Sequence, residues 1–277
     1  MPRYHEHFVA FLDILGFKSL LKDLSCEDIF SIFEVLHKKA NGMRNQNGVE
    51  IKAYDYIHHT ILSDSIVLYI RSDIDDAFAA LIDICNKLQY SLANRDKPIL
   101  LRGGIEVGDL FYENDIIYGN GLSSAYLLEN NLAKYPRIIF TGDTLKKGLK
   151  NTKYMFVDME GIMRPYQEDD DALYYTDYFS PDFWDTDTLI QYYDRLLGVC
   201  NEQLNQAIEE GLRSKYLWLK KKVERAIKIH SSVAEYYRKR TEEKQETLEY
   251  NDRFSIYPQQ FNVEICEVTP RGNKKNQ

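Results

Sequence analysis

The sequence predicts an α+β fold: a ferredoxin-like, mostly antiparallel sheet followed by a C-terminal helical extension. Three observations predict it. Short apolar runs bounded by turn residues alternate with longer amphipathic runs up to about residue 176. Their order is strand, helices, hairpin, helix, strand, helix, strand, which is that of a split βαβ sheet. The pattern then becomes helical from Asp187 to about Tyr250. The chain therefore divides into residues 1–185 and a helical part, 186–277.

Residues 7–13 (HFVAFLD) read as a buried strand that ends at an acid. Leu15-Gly16-Phe17 turns into a short helical stretch. In 27–40, Ile29, Ile32, Phe33, Val35 and Leu36 fall at helical spacing; 41–49 reads as a polar loop with two glycines. Residues 51–60 and 65–70 are β-rich and flank Leu62-Ser63-Asp64, which predicts a hairpin. Residues 74–93 read as a helix through Phe78, Leu81, Ile82, Ile84, Cys85 and Leu88. Residues 98–112 (PILLRGGIEVGDLFY) read as a long strand whose glycines mark bends or close backbone approach. Residues 119–131 begin as a turn and become a helix. Residues 137–141 read as a strand stopped by Gly142-Asp143, with further short strands at 153–158 and 173–176.

In the second part, Leu189, Tyr193, Leu196, Cys200, Leu204 and Ile208 form one stripe. Tyr216, Leu219, Val223, Ala226, Ile227 and Val233 form another after Gly211, and the two predict a pair of helices serving as packing or dimerisation surface. His230 falls on the same face and reads as a packing residue. Residues 260–266 read as a last strand and 271–277 as a frayed basic tail.

Composition limits the function. With 44% apolar and 28% charged residues the chain is an ordinary globular protein. No run approaches the ~18 uncharged apolar residues of a membrane span. Asp13 interrupts the N-terminal apolar stretch and no small-residue cleavage site follows, so neither a signal peptide nor membrane insertion is expected. Cys26, Cys85, Cys200 and Cys266 contain no Cys-x-x-Cys pair, which argues against a zinc knuckle or disulfide framework and points to the cytoplasm. A net charge of -8 disfavours a nucleic acid polymer as partner. A small anionic substrate remains compatible if metal ions supply positive charge. The 21 tyrosines and 13 phenylalanines read as core and interface surface.

Two acids stand out. Asp13 ends a buried strand and is followed by the Gly16 turn; alone it is equally well a strand-end cap. Asp64 sits at a hairpin tip between apolar strands; alone it is equally well an Asx turn. In a ferredoxin-like sheet the first strand and this hairpin are neighbours, so the two carboxylates meet at one edge. Two like charges held close call for a cation, and hard oxygen ligands favour Mg²⁺ or Mn²⁺. The Gly16 turn leaves backbone N–H groups for phosphate oxygens. Acid pair, metal and amides together describe a nucleoside triphosphate site. Other candidates are weaker. His58 and His59 are adjacent on a strand and point to opposite faces. Glu168-Asp169-Asp170-Asp171 lacks calcium-loop spacing and reads as a solvated loop. Gly103-Gly104 lacks the acid-acid-Phe of a diguanylate cyclase. Arg102 reads either as a phosphate contact or as part of the strand's own structure.

Phe11-Leu12-Asp13-Ile14-Leu15-Gly16-Phe17, the hairpin acid of Leu62-Ser63-Asp64, Arg102-Gly103-Gly104-Ile105-Glu106-Val107-Gly108, and Tyr118-Gly119-Asn120 through Leu128-Glu129 occur in the order found in class III nucleotidyl cyclases. Residues 7–158 resemble that family, with Ser63 where a Gly is usual. The resemblance implies that Asp13 and Asp64 bridge two divalent metals, Mn²⁺ or Mg²⁺, with the Ile14 carbonyl on one. It implies that the amides of Leu15, Gly16 and Phe17 steady phosphates, and that a homodimer carries two interface sites. Thr60 and Asn120 fall where purine cyclases read the base with Lys and Asp; Ser123 and Leu127 fall where the family has its transition-state Asn and Arg. A kept metal motif with altered base positions is similar to the bacterial pyrimidine cyclases of Pycsar antiphage defence, which signal through a cyclic nucleotide to a separate effector. That resemblance implies UTP as substrate, with CTP second. The alternatives are a cytidylate cyclase, a purine cyclase with a diverged pocket, or a catalytically silent nucleotide-binding dimer.

Overall fold

β1 (His5–Ile14) runs through the centre of an 8-stranded sheet. Its residues alternate between two cores, as the period of a strand requires. Phe8, Ala10, Leu12 and Ile14 enter the main core, whereas Val9 and Phe11 join a smaller cluster on the other face. The computed structural model describes residues 2–41, 45–46, 49–50, 52–153, 165–180, 185–206 and 209–246.

After β1 come α1 (Phe17–Asp23) and α2 (Cys26–Asn41). The stretch expected to be only a polar loop contains a small antiparallel pair, β2 (Asn45–Gln46) and β3 (Val49–Glu50). The β-rich segment expected over 51–60 is shorter: Lys52–Tyr56 forms a 3₁₀ turn that tucks Ala53 and Tyr54 into the core before β4 (His58–Leu62) begins. β4 pairs with β5 (Ser65–Arg71), α3 (Ala77–Ala93) crosses the main-core face, and β6 (Leu101–Glu113) returns on the far side of β1. The order β4-β5-β1-β6, with every pairing antiparallel, is the ferredoxin-like arrangement that the sequence predicts.

β6 turns back into β7 (Ile116–Tyr118), and α4 (Asn120–Leu132) lies over the smaller core. β8 (Ile138–Phe140) joins β6 in parallel, followed by α5 (Gly142–Lys150). Gly142-Asp143 ends the strand as expected, but by starting a helix capped by the Thr141 side chain. β9 (Tyr166–Glu168) and β10 (Tyr174–Thr176) complete the sheet. Of the strand expected over 153–158, residues 154–158 lie outside the described residues, as do the strand at 260–266 and the tail at 271–277.

Three helices follow where two are expected: α6 (Thr186–Gln206), α7 (Glu210–Ile229) and α8 (Ser231–Glu246). His230 adopts an extended backbone (φ -88°, ψ 98°), which separates α7 from α8. The apolar period runs on because Val233 and Tyr237 return to the same cluster. That cluster joins Leu196, Cys200, Leu219 and Val223 to Ile139, Tyr175 and Phe179 of the sheet region.

The acidic run at 168–171 is not simply a solvated loop. The Asp169 carboxylate accepts from Lys222 Nζ (2.7 Å), Trp218 Nε1 (2.8 Å) and Arg137 (2.5 Å), and Asp171 accepts from the same guanidinium. Asp169 alone is withdrawn from solvent; exposed Asp170 pairs with Lys221. A cation just before β8 and another on α7 thus share one carboxylate.

Candidate active site

β1 aligns Asp13 with Ser65 on β5 and with Arg102 on β6. Asp64 is the second residue of the two-residue loop that joins β4 to β5, and the Ile14 N–H donates to its carbonyl (3.2 Å). Ser63, the first loop residue, has φ 59°, the left-handed region that favours glycine. The acid pair expected from the sequence therefore stands together at one end of β1, with both residues half-buried.

Arg102 Nε donates to Asp13 Oδ2 (2.9 Å) and also lies 2.9 Å from Glu129 Oε1. The N–H is aligned on Asp13, and Glu129 Oε1 is buried without a hydrogen bond. Burial pushes the Asp13 carboxyl up; the Arg102 hydrogen bond and charge oppose this, and the charge of Asp64 adds to it. Burial raises Glu129 as well; Arg102 opposes that shift, and the charges of Asp13 and Asp64 reinforce it.

Glycines bring Glu129 there. A Cβ on Gly104 would lie 2.6 Å from the Ala125 carbonyl oxygen and 2.9 Å from the Glu129 nitrogen. A Cβ on Gly108 would lie 2.8 Å from Gly121 Cα. Without side chains at these positions, α4 rests backbone to backbone on β6. Sequence reasoning did not single out Glu129, although a signal existed. Gly121, Ala125 and Leu128 form the buried stripe of α4, and Glu129 is an acid in that stripe.

The phosphate-binding amides need one correction. Leu15 N–H is committed to the Leu100 carbonyl (2.9 Å), because β1 extends its pairing into the turn, so it is not available to a phosphate. Gly16 precedes α1 with φ 74°, and its carbonyl accepts from Ser19 and Leu20. Phe17 opens the helix with its ring in the main core.

Asn120 stands far from the acids, whereas Thr60 lies four residues before Asp64 on the same hairpin. Thr60 pairs with Val67, on the Asp13 side of the sheet. Asn120 starts α4 against Gly108, six residues along β6 from Arg102, a span of about 20 Å. Ser123 Oγ donates to the Gly119 carbonyl (3.3 Å), and Leu127 is exposed.

Hard carboxylate oxygens suit Mg²⁺ or Mn²⁺, and Glu129 Oε1, buried without a hydrogen bond, shares its Arg102 counter-charge with Asp13. Among the described residues no group of three or more His, Cys, Asp and Glu forms a metal cage. Mg²⁺ commonly takes one or two carboxylates and fills its shell with water and substrate phosphates, so the two acids fit that mode. No helix among the described residues is long and apolar enough to cross a membrane.

No family model and no curated protein matches the chain. Solved structures similar to it include the guanylyl cyclase domain of the RhoGC fusion protein from the aquatic fungus Blastocladiella emersonii. Identity is 14%, the TM-score is 0.45, and the match covers 62% of this chain and 95% of that one. An adenylate/guanylate cyclase/hydrolase from Silicibacter pomeroyi matches at 14% identity and TM-score 0.41, over 63% of this chain and 98% of that one. A bacterial light-regulated adenylyl cyclase matches at 14% identity and TM-score 0.39, over 69% and 56% of the two chains.

Proposed function

We propose that this protein is a metal-dependent nucleotidyl cyclase acting on a pyrimidine nucleoside triphosphate, with UTP preferred and CTP second. The observation that carries the reading is the meeting of Asp13 and Asp64 at one edge, through the Asp13–Ser65 register and the Ile14–Asp64 backbone bond, within the FLDILGF motif. Asp13 and Asp64, with the Ile14 carbonyl, would hold two Mn²⁺ or Mg²⁺ ions. Such ions acidify a ribose 3′-OH and neutralise the departing pyrophosphate. Arg102 orients Asp13 and balances the surrounding acids. Gly16 and Phe17 are the remaining candidates for backbone contact with phosphate.

Thr60 and Asn120 are neutral and both donate and accept, which suits the O4/N3–H edge of uracil or the N4/N3 edge of cytosine. The distance of Asn120 from the acid pair favours a homodimer in which one chain supplies the acids and the other reads the base. Exposed Ile116, Tyr118, Tyr126 and Leu127 on β7 and α4 offer apolar surface to a second copy. The product, cyclic UMP, would act through a separate effector in antiphage defence, in the cytoplasm.

Incubation with each of the four nucleoside triphosphates and Mn²⁺, with products resolved by chromatography, tests the reading. Dominant cyclic UMP is the expected result. Dominant cyclic CMP removes only the preference for uracil, and faster purine turnover removes the base argument while leaving the acid pair. A silent nucleotide-binding dimer is the second reading, favoured by Ser123 and Leu127 at the Asn and Arg positions; no product from any triphosphate supports it.

A further inference from the structure

α7 carries two lysines on its packed face. At about 100° per residue, Lys215, Trp218, Leu219, Lys222 and Ala226 fall within one arc of the helix. Trp218, Leu219, Lys222 and Ala226 are buried and Lys215 is half-buried, whereas Leu217 and Lys221 on the outer side are exposed. Seven residues apart, Lys215 and Lys222 are separated by about 10 Å along the axis. An ammonium on a packed face calls for an anion, because desolvating it unpaired is costly. Lys222 has one: Asp169 accepts from its Nζ at 2.7 Å. Lys215 forms no ion pair with any of the described residues.

Lys215 lies at the acid end of β1. Trp218, about one turn further along α7, stacks flat on Tyr135 with centroids 5.4 Å apart. Tyr135 is two residues beyond Ala133, whose carbonyl accepts from Arg102 Nη1 at 3.5 Å, and Arg102 in turn donates to Asp13. Leu15, two residues after Asp13, and Tyr216, next to Lys215, pack against the same apolar cluster. The two residues also interact through charge. Burial raises the Asp13 carboxyl, Arg102 opposes that shift by hydrogen bond and charge, and the charge of Lys215 opposes it too.

Arg102 is engaged by Asp13 and Glu129. Lys215 brings a second cation to the same place, on a flexible stem and with no carboxylate among the described residues to hold it. A mobile ammonium of this kind suits a phosphate oxygen. We propose that Lys215 binds a phosphate of the substrate held at Asp13 and Asp64, so that the helical extension supplies part of the active site. This rests on the reading of that acid pair as a nucleoside triphosphate site, and it gives α7 a role beyond packing.

Calorimetric titration of the full chain in Mg²⁺ with inorganic triphosphate, which has no base and cannot be cyclised, tests this. Lys215→Met keeps the apolar stem, so the packing of α7 is retained. Lys215→Met and Lys215→Gln should each weaken binding about tenfold, and Lys215→Arg should stay within about threefold of the parent. Lys221→Met, which removes a charge from the exposed side of the same helix, should bind as the parent does. Parental affinity in the Met and Gln variants would overturn the proposal and leave the cyclase reading intact. An equal loss in Lys221→Met would overturn it as well, since net charge alone would then account for the effect. A parent chain that binds no triphosphate also overturns it. Weakening confined to the Lys215 variants, in a chain that forms no cyclic nucleotide, would uphold it while the cyclase reading fails.

Discussion

Arg102 and Asp13 are cross-strand partners whose side chains meet: the guanidinium Nε donates to Asp13 Oδ2 at 2.9 Å. The same guanidinium stands 2.9 Å from the buried Glu129 carboxylate, and Asp64 adds charge to the neighbourhood of both acids. One guanidinium thus lies against two carboxylates, with a third nearby.

Replacing either member of the acid pair should remove catalysis but not the fold. Asp13→Ala leaves Arg102 its Glu129 partner, and Asp64→Ala removes a repelling charge. Cyclic nucleotide formation should vanish in both variants while the thermal midpoint stays within a few degrees of the parent. Near-parental turnover by either variant would refute the assignment.

Arg102→Ala should instead damage stability. It leaves Glu129, whose side chain is 4% exposed, without its counter-charge, at a cost of about 3 kcal/mol. Adding Glu129→Gln should restore much of the loss. Urea unfolding of the two variants checks this, and equal midpoints for single and double variants would exclude the ion pair as the cause.

Two glycines should respond differently to alanine. Gly104→Ala drives a Cβ into the α4 backbone at 2.6 Å, which costs about 1–3 kcal/mol and shifts Glu129. Gly16→Ala meets nothing within 4 Å and costs only the left-handed φ, about 1 kcal/mol. Unfolding midpoints should therefore rank parent, Gly16→Ala, Gly104→Ala.

Asp169 should make stability depend on acid pH. Burial alone would raise its carboxyl. Hydrogen bonds from Lys222, the Asp170 N–H and Trp218, with the charge of Arg137, outweigh burial and hold it below the usual carboxylate value. The folded state therefore binds the proton less readily than the unfolded one. The stabilisation is complete above the unfolded value of about 3.9 and is lost as pH falls through the lower folded value. Asp169→Asn should lower stability at pH 7 and flatten the acid limb of the stability curve. An unchanged acid limb would contradict this.

Mixing chains tests the homodimer. An Asp13→Ala/Asp64→Ala chain combined with an Asn120→Ala/Ser123→Ala chain should recover one working site per mixed dimer. Full activity from a monomer at low concentration would rule out the shared site.

The sequence by itself determined the sheet order, because each strand and helix carries its own period and its own turn residues. It also determined the acid pair, since residues 11–17 and the hairpin are local motifs whose neighbours follow from that order. Period could not reveal the break at His230, where the apolar stripe continues across two helices that meet one core. Local reading could not reveal Leu15's bond to Leu100, or that Asp169 is gripped by Arg137 and Lys222, because those partners are distant in sequence. Glu129 shows the limit most clearly. Its position in the α4 stripe is written in the sequence, but its meeting with Arg102 depends on how closely α4 can approach β6. Packing at Gly104 and Gly108 decides that distance, and only the tertiary structure contains it.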